Sequence, residues 1–248
     1  KVIENPTFMY HVWSPAKDYP VLSKAGIRVV QANISQATLD TAAENGIMVI
    51  AVLYAGMQPA GHPNNAARTK ELVQQFKDHP ALFAWAVMDE PNYNSSDPYD
   101  LLRESYIIIR EIDDDNPVYI VEDPGSKVEE TSKYCDIAAI DPYIGKNVDT
   151  KETRVAERTG AMVAATGYQK PVYSLLQTFD WLGYWPSVND IRHQQYQAFM
   201  AGAEAVGYYE WSQTGAGKLL SDTDLWEGLC EFLNVEMNDA KAHFSTFP

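Results

Sequence analysis

Cysteine is scarce in this sequence, basic residues are few, and long apolar runs are missing. Two cysteines, Cys135 and Cys230, without CxxC spacing exclude a disulfide-stapled scaffold. Nineteen lysines and arginines against 34 aspartates and glutamates leave a net charge of −15. That balance excludes general binding to nucleic acid, whose phosphates require Lys and Arg to neutralise them. The five histidines are dispersed, with no HExxH and no close cluster with Cys or Asp, so no metal or other cofactor is expected. The longest apolar runs, near 46–55 and 81–88, have the length of strands, well short of the roughly 20 residues of a membrane span. The opening KVIENPTFMYHVW is too polar for the apolar core of a signal peptide. It also starts without Met, as a trimmed mature chain or a piece of a larger multidomain protein would. A secreted, periplasmic or cell-surface location is expected, with the cytoplasm left open.

What the sequence does have is alternation. Eight short apolar segments read as strands: 6–13, 26–33, 46–54, 81–90, 116–123, 135–143, 170–179 and 205–213. Most are continuously apolar rather than alternating, as parallel strands covered on both faces must be. Between them lie amphipathic or polar stretches such as SQATLDTAAENG, where Gly46 marks the stop, and AARTKELVQQF, where Leu72 and Phe76 share a helical face. Over 248 residues, eight such units average 31 residues each, the size of a strand plus its crossover helix. The fold predicted is an α/β single (β/α)8 TIM barrel domain spanning 1–248, with no room for a second domain.

Barrel active sites form at the C-terminal ends of the strands. Polar groups recur there: His11, Asn33, Tyr54, Asp89 with Glu90, Glu122 with Asp123, Asp141 with Tyr143, Gln177, and Glu210 with Trp211. The sharpest local signal is WAVMDEPN (85–92), an apolar strand that ends in two carboxylates and stops at Pro91. Strand alternation predicts that Asp89 and Glu90 point different ways, one to the barrel mouth and one into a loop or cap.

These residues resemble a known family. The chain is similar to glycoside hydrolase-type TIM barrels, near the retaining superfamily whose fourth strand ends in Asn-Glu-Pro; here the triplet is Asp89-Glu90-Pro91. The resemblance implies that Glu90 is the general acid/base and that Asp89 takes the place of the family's substrate-binding Asn. It also implies a nucleophilic Glu near the end of strand seven. This sequence has Leu175, Leu176, Gln177 and Thr178 there, and no carboxylate before Asp180. An amide cannot form a covalent glycosyl intermediate, so Gln177 is expected to bind a sugar hydroxyl or orient a water. The second carboxylate then comes from Glu210, Asp141 or Glu122, or the site is inactive, or the position is an engineered substitution. Against a catalytic role, Glu210 also reads as a buried ion pair and Asp141 as a turn residue before Pro142.

Fifteen tyrosines and six tryptophans support carbohydrate as the partner, because flat, partly polar rings stack on sugars. Tyr54, Tyr143, Phe179, Trp181, Tyr209 and Trp211 all fall at or after strand ends, and FDWLGYWPSVND (179–190) reads either as a cleft wall or as a cap over the barrel. The expected substrate contacts are Asp89, His11, Asn33, Tyr54, Tyr143, Gln177, Trp181 and Trp211. Two functions follow as expectations. One is cleavage of glycosidic bonds in an oligo- or polysaccharide by a carboxylate pair. The other is a catalytically silent carbohydrate-binding or assembly domain of a larger protein.

Overall fold

The computed structural model describes residues 9–54, 59–91, 98–123, 128–145, 152–181, 183–209 and 222–236, with the side chains of 9–13, 98 and 236 excepted. Its sheet is closed: eight parallel strands pair in chain order, and the last pairs with the first. They are β1 (Met9–Trp13), β2 (Val29–Asn33), β3 (Met48–Val52), β4 (Leu82–Asp89), β5 (Val118–Glu122), β6 (Ile137–Ile140), β7 (Val172–Gln177) and β8 (Ala205–Tyr209). Each lies inside its predicted segment.

The helices form the outer layer: α1 (Tyr19–Lys24), α2 (Gln36–Glu44), α3 (Ala66–Phe76), α4 (Pro98–Arg110), α5 (Val128–Thr131), α6 (Arg154–Ala165), α7 (Val188–Met200) and α8 (Thr223–Glu231). Local chemistry sets their ends. Ser35 accepts a hydrogen bond from the Thr38 N–H at 3.1 Å and starts α2. Ser187 and Asp190 form a reciprocal capping box on α7. Gly46, at φ +65°, takes the left-handed turn after α2 that a residue with a Cβ resists. The two helices that periodicity does not predict, α1 and α5, run six and four residues, too short for a repeating apolar face.

Two apolar layers explain the uninterrupted strand patterns. One fills the barrel interior, with Val29, Ile50, Ala84, Tyr119, Ala139 and Tyr173 among its members. The other lies between the sheet and the helices, where Val30, Trp85 and Ile120 meet Leu39, Phe76 and Ile109. Strand residues alternate between the layers, so both faces are dry. Trp85 is fully buried and donates its indole N–H to Asp113 at 2.7 Å, fixing β4 against the turn after α4.

One irregularity positions the site. Between β4 and β5 the register runs from Ala86↔Tyr119 to Asp89↔Val121, three residues on one strand against two on the other. This bulge inserts an extra residue just before the carboxylates.

Candidate active site

At the mouth of the barrel a cavity of about 160 Å³ is lined by Gln31, Asp89, Glu90, Val121, Asp141, Tyr143, Leu175, Tyr208 and Tyr209. Asp89 and Glu90 therefore face the same space, contrary to the alternation expected from the sequence. Two features account for it. The β4 bulge shifts the phase of the strand end, and Glu90 itself adopts a left-handed backbone, φ +42°. A non-glycine residue in that region is strained, and such strain persists where surrounding structure holds it. Here the Glu90 N–H is held by the Val121 carbonyl at 3.0 Å.

Asp141, just beyond β6, completes an acidic group. It is 4% exposed, and its carboxyl lies within hydrogen-bonding reach of that of Glu90. Two carboxyls can share a hydrogen bond only if one carries a proton. Burial pushes Asp141 well above the ordinary carboxylate range, and the charge and hydrogen bond of Glu90, followed by the charges of Asp89 and Asp123, push the same way. Asp89 is raised to about 6, first by burial and then by Glu90. Burial and the neighbouring acids thus favour the protonated form of Asp141. Arg154, at the start of α6, donates Nε–H to the Tyr143 carbonyl at 2.8 Å and feels the charges of Asp123 and Asp141.

The opposite wall is aromatic. Tyr143 stacks on Tyr209 with ring centroids 6.1 Å apart and meets Phe179 and Trp181 edge-on at 5.1 and 5.9 Å. Phe179 also meets Tyr209 edge-on at 5.4 Å. The 179–190 segment, Leu182 excepted, thus contributes Phe179 and Trp181 to a wall beside the cavity. Burial, then the Asp89 charge, raises the Tyr54 phenol far above the usual value, and hydrogen bonding with Gln31 opposes the rise.

The remaining expected site residues are distributed differently. Gln177 is fully buried at the end of β7 and does not line the cavity; its amide bonds four backbone groups of two loops. Asn33 is exposed at the end of β2, two residues beyond Gln31, which does line the cavity. Glu122 is fully buried, but its neighbour Val121 faces the cavity and Glu122 lies toward Tyr99 and Cys135, on the helix side. His11 sits on β1, with its side chain outside the description; Glu210 and Trp211 lie outside the described residues. Gln31 and Arg154 escaped the sequence reading. Gln31 had a signal, a polar residue in register with inward-facing Val29, whereas Arg154 had none. Among the described residues, no group of His, Cys, Asp and Glu is arranged to hold a metal ion, and no helix is long and apolar enough to cross a membrane.

Solved structures with this architecture are numerous. A β-galactosidase from the psychrophilic Marinomonas ef1 superposes with a TM-score of 0.73 at 11% identity, over 94% of this chain and 60% of that one. A β-galactosidase from Bacillus circulans sp. alkalophilus gives 0.73 at 13% identity, over 92% and 55% of the two chains. An endo-β-1,4-mannanase from Thermotoga petrophila gives 0.63 at 11% identity, over 93% and 76%. At such identities the likeness establishes the fold alone, and the chain spans less than two thirds of either β-galactosidase. No curated protein matches the sequence. The model of the glycosyl hydrolases family 2 TIM barrel domain, in contrast, matches residues 13–177, from the last residue of β1 to the last of β7. That match takes in well over half of the sequence, and the chain belongs to this family.

Proposed function

We propose that this barrel is the catalytic module of a glycoside hydrolase that cleaves glycosidic bonds in an oligo- or polysaccharide, with Glu90 and Asp141 as its carboxyl pair. The observation that carries the proposal is the convergence of those two carboxyls on one cavity at the barrel mouth. Glycoside cleavage needs one group that gives a proton to the leaving oxygen and one that meets the positive charge growing at the sugar carbon. A pair holding a single proton supplies both. Asp141 stores that proton in the substrate-free pocket. The shared hydrogen bond lets it pass to Glu90, which delivers it to the glycosidic oxygen and leaves Asp141 ionised toward the sugar. Desolvation by the bound ring strengthens each of these interactions. Retention is proposed on the resemblance of Asp89-Glu90-Pro91 to the Asn-Glu-Pro of the retaining superfamily. Tyr143 and Tyr209 offer the stacking face, and Gln31 and Tyr54 the polar contacts.

A silent carbohydrate-binding barrel is the second reading, and the buried amide of Gln177 at the end of β7 favours it. Turnover decides between them. Wild-type protein, Glu90→Gln and Asp141→Asn are assayed on a panel of 4-nitrophenyl glycosides and natural polysaccharides. Wild-type turnover that both substitutions abolish supports the carboxyl pair. Carbohydrate binding without turnover in all three proteins establishes the silent barrel instead.

A further inference from the structure

Gln177 occupies the end of a barrel strand, yet its side chain is turned into protein rather than toward the cavity. Its Oε1 accepts hydrogen bonds from the N–H groups of Ile144 at 3.0 Å and Gly145 at 3.1 Å, in the loop after β6. Its Nε2 donates to the carbonyls of Phe179 at 2.9 Å and Tyr184 at 3.0 Å, in the loop after β7. An amide has two acceptor and two donor positions, and all four are in use. The backbone of Gln177 is gripped in turn by Gln194 of α7, which accepts from its N–H at 3.1 Å and donates to its carbonyl at 3.4 Å. Both Gln177 and Gln194 are essentially inaccessible to solvent.

The two loops joined by this amide carry Tyr143 on one side and Phe179 and Trp181 on the other, the rings that pack together beside the cavity. We infer that Gln177 is a positioning residue: it ties the loop after β6 to the loop after β7 and so sets the aromatic wall. The effect on substrate rests on the proposed glycosidase activity; the tie itself does not. Only an amide fills the role. A carboxylate keeps the two acceptor bonds but turns a bare oxygen toward two carbonyl oxygens. A hydrocarbon leaves four backbone groups buried without partners, each of them costly.

The test combines amide exchange with kinetics. In the wild-type protein, hydrogen–deuterium exchange at Ile144 and Gly145 is slow; fast exchange there overturns the tie without recourse to any variant. Gln177→Met, which leaves both N–H groups without an acceptor, loses that protection, and unchanged protection in the folded variant overturns the tie as well. On the 4-nitrophenyl glycoside that the wild-type protein turns over fastest, Gln177→Met raises KM about tenfold while kcat changes less than about threefold. Gln177→Glu adds a pH signature. Its buried acid is protonated at low pH and donates to one carbonyl, so the loops hold. As pH rises the acid ionises, and KM relative to wild type climbs. A fall in kcat with KM unchanged and a flat pH ratio would place Gln177 in the chemistry and refute a positioning role. Should Gln177→Met fail to fold, the Gln177→Glu ratio and wild-type exchange still decide. Should the wild-type protein turn over no glycoside, exchange alone decides the tie, and the proposed activity falls separately.

Discussion

The carboxyl of Asp141 lies within hydrogen-bonding reach of that of Glu90, although the two residues arrive on different strands of the barrel. Each carboxyl is near Asp89 as well, so three acids crowd one small cavity. Crowding of this kind favours the neutral forms of Asp89 and Asp141, because adjacent like charges in a poorly solvated space repel strongly. The proton that results is the reagent of the proposed reaction.

A pair that shares one proton acts as a unit, and its substitutions are not additive. Glu90→Gln and Asp141→Asn are each expected to lower kcat/KM by about 10²–10⁴, the range of general acid–base contributions. The double variant is expected to fall no more than about tenfold below the worse single one. Steady-state kinetics on a 4-nitrophenyl glycoside measures this. Losses that multiply would show that the two carboxyls act independently.

The left-handed backbone of Glu90 has its own consequence. Glycine adopts φ +42° without the Cβ conflict that costs other residues roughly 1–2 kcal/mol. Glu90→Gly and Glu90→Ala both delete the carboxyl and differ only by the Cβ. In an ordinary strand alanine is the more stable of the two; at position 90 glycine is expected to win by about 1 kcal/mol. Urea unfolding midpoints of the two variants give the comparison, and an alanine variant as stable as the glycine one removes the case for strain.

Asp89 links the site to stability. Its carboxyl is raised from 3.8 to about 6, by burial first and by Glu90 second. The folded state therefore binds this proton more tightly than the unfolded chain does between about pH 4 and 6. Stability from this group is complete below pH 4 and is lost as pH rises through 6. Asp89→Asn removes the loss. The variant should exceed wild type at pH 7 by about 3 kcal/mol, at roughly 1.4 kcal/mol per unit, with the gap shrinking toward pH 4. Chemical unfolding at both pH values checks the sign, and a gap independent of pH contradicts it.

Much of this barrel was legible because parallel strands buried on both faces write uninterrupted apolar runs, and all eight strands fall inside such runs. The place of Glu90 and Asp141 at strand ends was legible for the same reason. Their convergence was not. It depends on a register shift against β5 and on one left-handed residue, both set by pairing with another strand rather than by local pattern. Gln177 shows the same limit more sharply. Its position on β7 was readable, but the amide bonds loop groups 33 and 32 residues earlier in the chain, where no periodicity points. α1 and α5 went unread because six and four residues complete too few turns to show a face.

The charge balance around Asp141 can be tested without any substrate. Burial is the main cause of its raised pKa, and Glu90 is the next, through its charge and its hydrogen bond. Glu90→Gln leaves the burial in place but removes the like charge and offers an amide donor to the ionised carboxylate. The midpoint of Asp141, followed by the 13C shift of its carboxyl carbon, should therefore move down toward the ordinary range. Arg154 acts in the other direction, since it feels the charge of Asp141 from the start of α6. Arg154→Met removes a favourable partner for the ionised form, and the midpoint should rise. Opposite shifts from the two substitutions distinguish a charge-tuned pair from an acid governed by burial alone. If both variants titrate at the wild-type midpoint, burial alone controls the proton, and Glu90 loses its claim to share it.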